Sequence, residues 1–153
     1  MAIVDRSWPS TGRPPSDEQL LGFVVNLVGR LMSKEFNRRL AGTGVSVGQW
    51  RVMLVLSGCA DATQAELVRE LTVEQPTMAN TLKRLERDGL IERSASPTDR
   101  RSERIRLTPR GAELVPRIAP IADEANKDAL EGLTRDEVRT LVSLLSRVAD
   151  NLR

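Results

Sequence analysis

One short motif, Ser or Thr followed three positions later by Gln or Glu, stands at four points that each precede an apolar run of helical period: Ser16 with Gln19, Ser46 with Gln49, Thr63 with Glu66, and Thr134 with Glu137. In such a capping box the first side chain accepts from the backbone N–H three residues on. The later side chain reaches back to the first N–H, so two orphan donors of a new helix are satisfied together. Four helix starts are thereby set. From Ser16, the residues Leu20, Val24, Leu27, Val28, Leu31 and Phe36 recur at helical spacing until Gly42 and Gly44 end the run, a first helix of about 25 residues. Helix two is expected from Ser46 to Cys59, helix three from Thr63 to Leu71, and the last helix from Thr134 to the end.

The remaining elements follow from proline, glycine and alternation. A fourth helix opens near Pro76, where proline suits a first turn, and closes at Arg87-Asp88-Gly89. Ile91, Arg93 and Ala95 then alternate with polar neighbours, Pro97-Thr98-Asp99 supplies turn chemistry, and Arg104 to Thr108 alternates again, which predicts a hairpin with one side on the core. A long helix from near Pro109 to about Gly132, bent at Pro116 and Pro120, completes the order ααααββαα. The fold class is mainly α with a small β-hairpin. Aromatic residues are only 3% of the chain, so the core must be built of Leu, Val, Ile and Ala, which suits packed helices. The 153 residues support one domain, expected over 16–153 behind a flexible arm, 1–15, that carries Pro9, Gly12, Pro14 and Pro15.

The absence of His and Tyr and the presence of a single cysteine exclude a Ser-His-Asp triad, a Cys-His pair, a His-rich zinc site and an internal disulfide. No catalytic residue, metal or cofactor is assigned. The neighbouring carboxylates Asp123 and Glu124 diverge by about 100° on a helix and have nothing to position a substrate. Cys59, near the end of helix two, is expected to be a buried structural thiol. The longest uncharged apolar stretch, Val52 to Ala60, is too short to span a membrane, and Met1 to Arg13 has no apolar signal region, so the chain is expected to be soluble and cytoplasmic with no membrane partner.

Charge is polarised along the sequence. Glu74 to Arg110 holds nine Lys or Arg against six acids, whereas Gly111 to Arg139 holds four against seven. Helix three, a tight turn and helix four form a helix-turn-helix over 63–89, and the hairpin behind it makes a winged helix-turn-helix over 46–110. Projected at about 100° per residue, Met78, Leu82 and Leu85 share one side of helix four, while Pro76, Thr77, Asn80, Lys83, Arg84 and Arg87 lie largely on the other. That outer side begins with hydrogen-bonding groups and ends in cations, as a reader of the major groove of double-stranded DNA requires. Asn80 is the candidate for an adenine edge and Arg84 for a guanine edge. At the hairpin tip, Arg100 and Arg101 are candidates for a narrow minor groove, with Asp99 holding Arg101 extended through a charge-assisted hydrogen bond. Thr63 caps helix three, and with Gln64 it is a candidate phosphate contact. A solvated helix face and a solubilising turn are the plainer alternatives for these two elements.

Taken together, several segments resemble the MarR/SlyA family of winged helix-turn-helix transcriptional regulators. They are Gln49-Trp50-Arg51-Val52, Thr63-Gln64-Ala65-Glu66-Leu67, Glu74-Gln75-Pro76-Thr77, Leu85 to Arg93, Asp99-Arg100-Arg101, and Leu107 to Gly111. The Glu74-Gln75-Pro76 opening is similar to the SlyA branch, although that branch commonly has Arg where this chain has Asn80. The resemblance implies a homodimer in which helices one, five and six (16–42 and 109–153) interlock and two winged lobes reach successive major grooves. It also implies that Gln75, Pro76 and Thr77 open the recognition helix, and that Arg101 enters the minor groove. The last helix supports pairing independently. Val138, Leu141, Leu145, Val148 and Leu152 form an apolar stripe that needs a cover, and two half-sites, centred about 10–10.5 base pairs apart in a pseudopalindrome, need two lobes.

Regulators resembling this family often release DNA when a small aromatic anion binds between the dimer helices and the winged lobe. The corresponding residues here are Phe23, Val24, Trp50, Arg51 and Met53, for which aromatic packing and a surface ion pair are the alternative. The function expected is a sequence-specific, homodimeric DNA-binding regulator, a repressor. The competing possibility is an architectural or counter-silencing DNA binder of low sequence specificity.

Overall fold

A computed structural model describes residues 16–95 and 103–153. The expected N-terminal arm, and the hairpin tip with Asp99, Arg100 and Arg101, lie outside the described residues. The elements are α1 (Asp17–Arg39), α2 (Val47–Ser57), α3 (Gln64–Leu71), α4 (Gln75–Arg87), β1 (Ile91–Ala95), β2 (Glu103–Leu107), α5 (Pro109–Ala129) and α6 (Arg135–Asp150). This is the expected order, mostly helical with one hairpin.

All four expected capping boxes form, with both reciprocal bonds present at Ser16, Ser46, Thr63 and Thr134. The cap carboxylates of α3 and α6 each take a backbone N–H and a hydroxyl: Glu66 Oε2 accepts from Thr63 N at 2.7 Å and Thr63 Oγ1 at 3.0 Å, and Glu137 Oε2 accepts from both groups of Thr134 at 2.7 Å. Donors aimed at these oxygens favour the ionised acid, so both carboxyls are held below their ordinary range, the backbone hydrogen bond being the largest cause. α5 begins with Pro109 behind the cap Thr108 and continues across Pro116 and Pro120.

The turn between α3 and α4 is made by Thr72, a residue with left-handed backbone (φ +49°). Its N–H donates to Val68 O and closes the end of α3. The core lies in the winged half. Leu56 and Met53 from α2, Leu67 from α3, Met78, Leu82 and Leu85 from α4, Ile105 from β2 and Ile118 from α5 are buried together. β1 and β2 pair antiparallel from Ile91↔Leu107 to Ala95↔Glu103. Ala62 adds a third edge, exchanging bonds of 2.9 Å and 2.8 Å with Ile105.

The hairpin is pinned to α5 by a close crossing. Thr108 N donates to Leu90 O at 3.1 Å, Thr108 Oγ1 donates to Gly89 O at 2.7 Å, and Gly111 lies directly beneath Leu90. A Cβ on Gly111 would collide with the Leu90 carbonyl oxygen and lie 3.0 Å from its carbon and 3.2 Å from Leu107 Cδ2.

One feature departs from the sequence expectation. Cys59 is exposed, because it falls past the end of α2 on the short crossing to α3, where the apolar spacing of the helix no longer directs it inward. The first and last helices, α1 and α6, contain no buried residue. Among the described residues no helix is long and apolar enough to cross a membrane.

Two outcomes are expected. Gly111→Ala sets side chain against backbone rather than against a movable side chain, and should lower unfolding stability by about 1–3 kcal/mol in denaturant titration. Because Glu66 and Glu137 have lowered pKa values in the folded state, their stabilisation is complete above the ordinary carboxylate value of 4.5 and is lost as pH falls through the lowered values. The melting temperature should therefore drop on acidification below that point, and Glu66→Gln should make the acid limb shallower.

Candidate nucleic-acid interface

The apolar spacing of α4 decides which way its polar residues point. Met78, Leu82 and Leu85 are buried, at 1% exposure or less, and they fix the helix on the lobe. Gln75, Pro76, Thr77, Asn80, Lys83, Arg84 and Arg87 are all exposed. Among the described residues, Lys83 and Arg84 make no salt bridge, while Arg87 is engaged by the neighbouring Asp88 at 2.9 Å. The cationic end of the expected reading face is therefore carried by Lys83 and Arg84. At its other end, the N-cap Glu74 makes no side-chain capping bond, so the first amides of α4 are not used by a cap.

α3 meets this face at its start. Gln64 Nε2 donates to Gln75 Oε1 at 3.0 Å, which brings two of the expected DNA contacts together across the helix-turn-helix. Thr63 is more occupied than the sequence indicates. Its N–H and its hydroxyl both donate to Glu66, so the residue serves first as a cap, and the donors left at this helix end are the N–H groups of Gln64 and Ala65. The hairpin contacts expected at Asp99, Arg100 and Arg101 fall outside the described residues.

Three polar groups hold this face in place through partners that the sequence analysis does not pair. Arg104 on β2 donates from Nε to Asp61 Oδ1 at 2.8 Å and from Nη1 to Glu66 Oε2 at 3.3 Å, with a second charged contact from Nη2 to Asp61. Arg93 on β1 donates to Glu86 on α4 at 3.2 Å and to Glu103 on β2 at 2.9 Å. Gln49, the buried polar residue of the core, accepts from Ser46 N at 3.0 Å and donates to Asp88 Oδ2 at 3.4 Å beyond the end of α4. Alternation marked Arg93 and Arg104 as strand residues, but their partners lie 7 to 43 positions away and carry no local signal.

A separate cavity of about 750 Å³ opens between α1, α2 and α5. Its apolar wall includes Val28, Leu31, Phe36, Trp50 and Leu54, and its charged groups include Arg51, Asp123 and the cluster in which Arg39 bridges Glu35 and Asp128. Arg38 and Arg39 donate to Glu35 and pull its carboxyl down to about 2. Of the five residues expected around an effector, Trp50 and Arg51 line this cavity. Phe23, Val24 and Met53 do not. Met53 is fully buried in the core, since two residues after Arg51 the helix has turned about 200°. Phe23 and Val24 lie more than a turn before Val28, the first residue of α1 on the wall. Trp50 itself is 4% exposed and packs with the core, whereas Arg51 is exposed and makes no ion pair among the described residues.

The stripe expected on the last helix is uncovered. Leu141, Leu145 and Leu152 are exposed, at 41%, 40% and 83%, and Val138 and Val148 are half-buried. α6 packs extensively against no other element of its chain. Leu21, Val24, Val25, Val28, Leu31 and Met32 are exposed on α1 as well.

Residues 43–102 match a family model described as the MarR family. The structure of a MarR mutant from E. coli complexed with operator DNA aligns with a TM-score of 0.79 at 28% identity, over 84% of this chain and 92% of that one. A probable transcriptional regulator from Pseudomonas aeruginosa aligns with a TM-score of 0.78 at 29% identity, over 86% and 98%. BpsR of Bordetella bronchiseptica, whose DNA binding is regulated by 6-hydroxynicotinic acid, shares the fold with a TM-score of 0.78 at 23% identity, over 84% and 98%. With α4 seated on a buried stripe and its hairpin beside it, the chain has the winged helix-turn-helix fold of MarR-family DNA-binding transcriptional regulators, and residues 43–102 match that family's model.

Proposed function

We propose that the protein is a sequence-specific repressor that binds pseudopalindromic double-stranded DNA as a homodimer. The observation that carries this is the division of α4 into a buried apolar side and an exposed row of Gln75, Pro76, Thr77, Asn80 and Arg84 that joins the start of α3 at Gln64. Amide and hydroxyl groups lead that row and cations follow, the arrangement that suits base edges and phosphates in a major groove. Asn80 reads a base, Arg84 a guanine or a phosphate, and the α3 start meets the backbone. Arg100 and Arg101, oriented by Asp99, extend the contact into the minor groove.

A second copy of the chain is the occupant of the uncovered faces of α1 and α6. Both faces are apolar over several turns, and together they leave more large hydrophobic side chains in water than a lone domain of this size carries without cause. The division of labour is a winged lobe over 46–110 and pairing helices over 16–42 and 109–153. The E. coli relative in complex with operator DNA supports the DNA partner.

The cavity between α1, α2 and α5 is the seat of a small aromatic anion that releases DNA, with Trp50 in its wall and Arg51 as its cation. An aromatic acid of the kind that regulates DNA binding by BpsR is the first compound to try.

The test is selection of duplexes from a random-sequence pool, followed by binding titrations. A palindromic consensus bound as a dimer, with affinity falling steeply as salt rises because lysines and arginines displace counterions, is the expected result. Equal affinity for scrambled duplexes would replace this reading with an architectural one. Arg101→Ala should weaken binding while leaving the dimer intact in sedimentation, and Asp99→Ala should do so more mildly. Asn80→Ala should instead relax preference at one position per half-site, at a cost of about 1–3 kcal/mol in discrimination.

A further inference from the structure

We propose that Arg104 is a positioning residue for DNA reading: through Asp61 and Glu66 it locks the root of the hairpin to the start of α3, and so sets the angle at which both meet a duplex. This inference rests on the reading of the winged lobe as a sequence-specific DNA reader.

The guanidinium is spent within the protein. Its Nε and Nη2 engage the Asp61 carboxylate, Nη2 also reaches Asp61 O at 3.4 Å, and Nη1 reaches Glu66 Oε2 at 3.3 Å. Arg104 is 28% exposed on its side chain, well below the fully solvated arginines of the surface. The Glu66 oxygen it meets is the one that accepts the Thr63 N–H and hydroxyl, so a single atom holds the cap of α3 and the arm of β2. Beside this junction the Ala62–Ile105 bridge joins the strand edge through two backbone bonds, and no part of it reaches the cap of α3 at Glu66. A planar fork that spans two carboxylates supplies the missing constraint, which an ammonium on a flexible stem does not.

The alternative role for Arg104 is charge neutralisation. Asp61 and Glu66 are two acids at the helix end proposed to face phosphate, and a cation beside them would reduce their repulsion of DNA. The two roles predict opposite outcomes for one substitution. Asp61→Ala removes an acid, so neutralisation alone predicts tighter DNA binding, whereas loss of positioning predicts weaker binding.

The experiment uses the duplex enriched by the wild-type protein from a random pool, with affinity measured by fluorescence anisotropy across a salt series and thermal unfolding followed in parallel. Asp61→Ala and Arg104→Lys should each bind about threefold to tenfold more weakly. The double variant Asp61→Ala with Arg104→Lys should be no weaker than the worse single one. The salt slope should be unchanged in all three. Where Asp61→Ala does not fold, Asp61→Asn, which keeps the shape and one acceptor without the charge, should show the same direction. Equal or tighter binding by the Asp61 variant overturns the proposal. So does a salt slope lower by about 0.9 in Arg104→Gln, whose neutral side chain would lose a direct phosphate contact. If no duplex is enriched, the sequence-specific reading falls and takes this inference with it; if the enriched duplex is bound equally by wild type and variants, only the inference falls.

Discussion

The outward face of α4 is a consequence of its inward one. Met78, Leu82 and Leu85 recur at spacings of four and three, so a single rotation of the helix buries all of them, and that rotation leaves Thr77, Asn80, Lys83 and Arg84 in solvent. Each buried side chain contributes about 1.5–3 kcal/mol from its removal from water, far more than any one exposed contact. Rotating the helix to present other residues would forfeit several of these contributions together. The reading face is therefore rigid in rotation before a ligand arrives, which spares the complex the cost of ordering it.

The parts of this molecule that were legible in its sequence are those governed by neighbours within about four residues. Capping boxes at Ser16, Ser46, Thr63 and Thr134 mark helix starts because donor and acceptor sit in one turn, and the α4 stripe is read from the same short period. What failed was longer in range. Asp61 and Arg104 are 43 positions apart and Gln49 and Asp88 are 39 apart, so nothing local pairs them. Cys59 was misjudged because membership of an apolar run was extended past the last turn of α2. The family resemblance sets Met53 beside Arg51 around an effector, but two steps along a helix point to nearly opposite sides, and Met53 enters the core.

The stability of the chain is unevenly distributed. The winged half contains most of the buried apolar side chains, while α1 and α6 contain none; α1 is tied back by packing along α5, by Phe36 against the core, by the bond from Val47 N to Asn37 Oδ1 and by the ion pair of Arg39 with Asp128. Exposed ion pairs of that kind contribute little. The helices that carry the uncovered faces are thus the ones whose packing depends most on what covers them, and protomer concentration enters their stability directly.

The same helix serves the cavity and the reader. α2 gives Trp50 and Arg51 to the cavity wall, and Gln49, between Ser46 and Trp50, reaches Asp88 at the end of α4. Gln49 is buried and its amide is committed at both ends, so α2 cannot shift along or about its axis without breaking the bond to Asp88 or moving it. A molecule in the cavity that held α2 in a displaced position would therefore act on α4 through the half-buried Gln49–Asp88 bond, in addition to the packing of Met53 and Leu56 on the core. Any such coupling is reciprocal. If DNA fixes α4 as proposed, it changes the affinity of the cavity for the proposed effector by the same factor as the effector changes that for DNA.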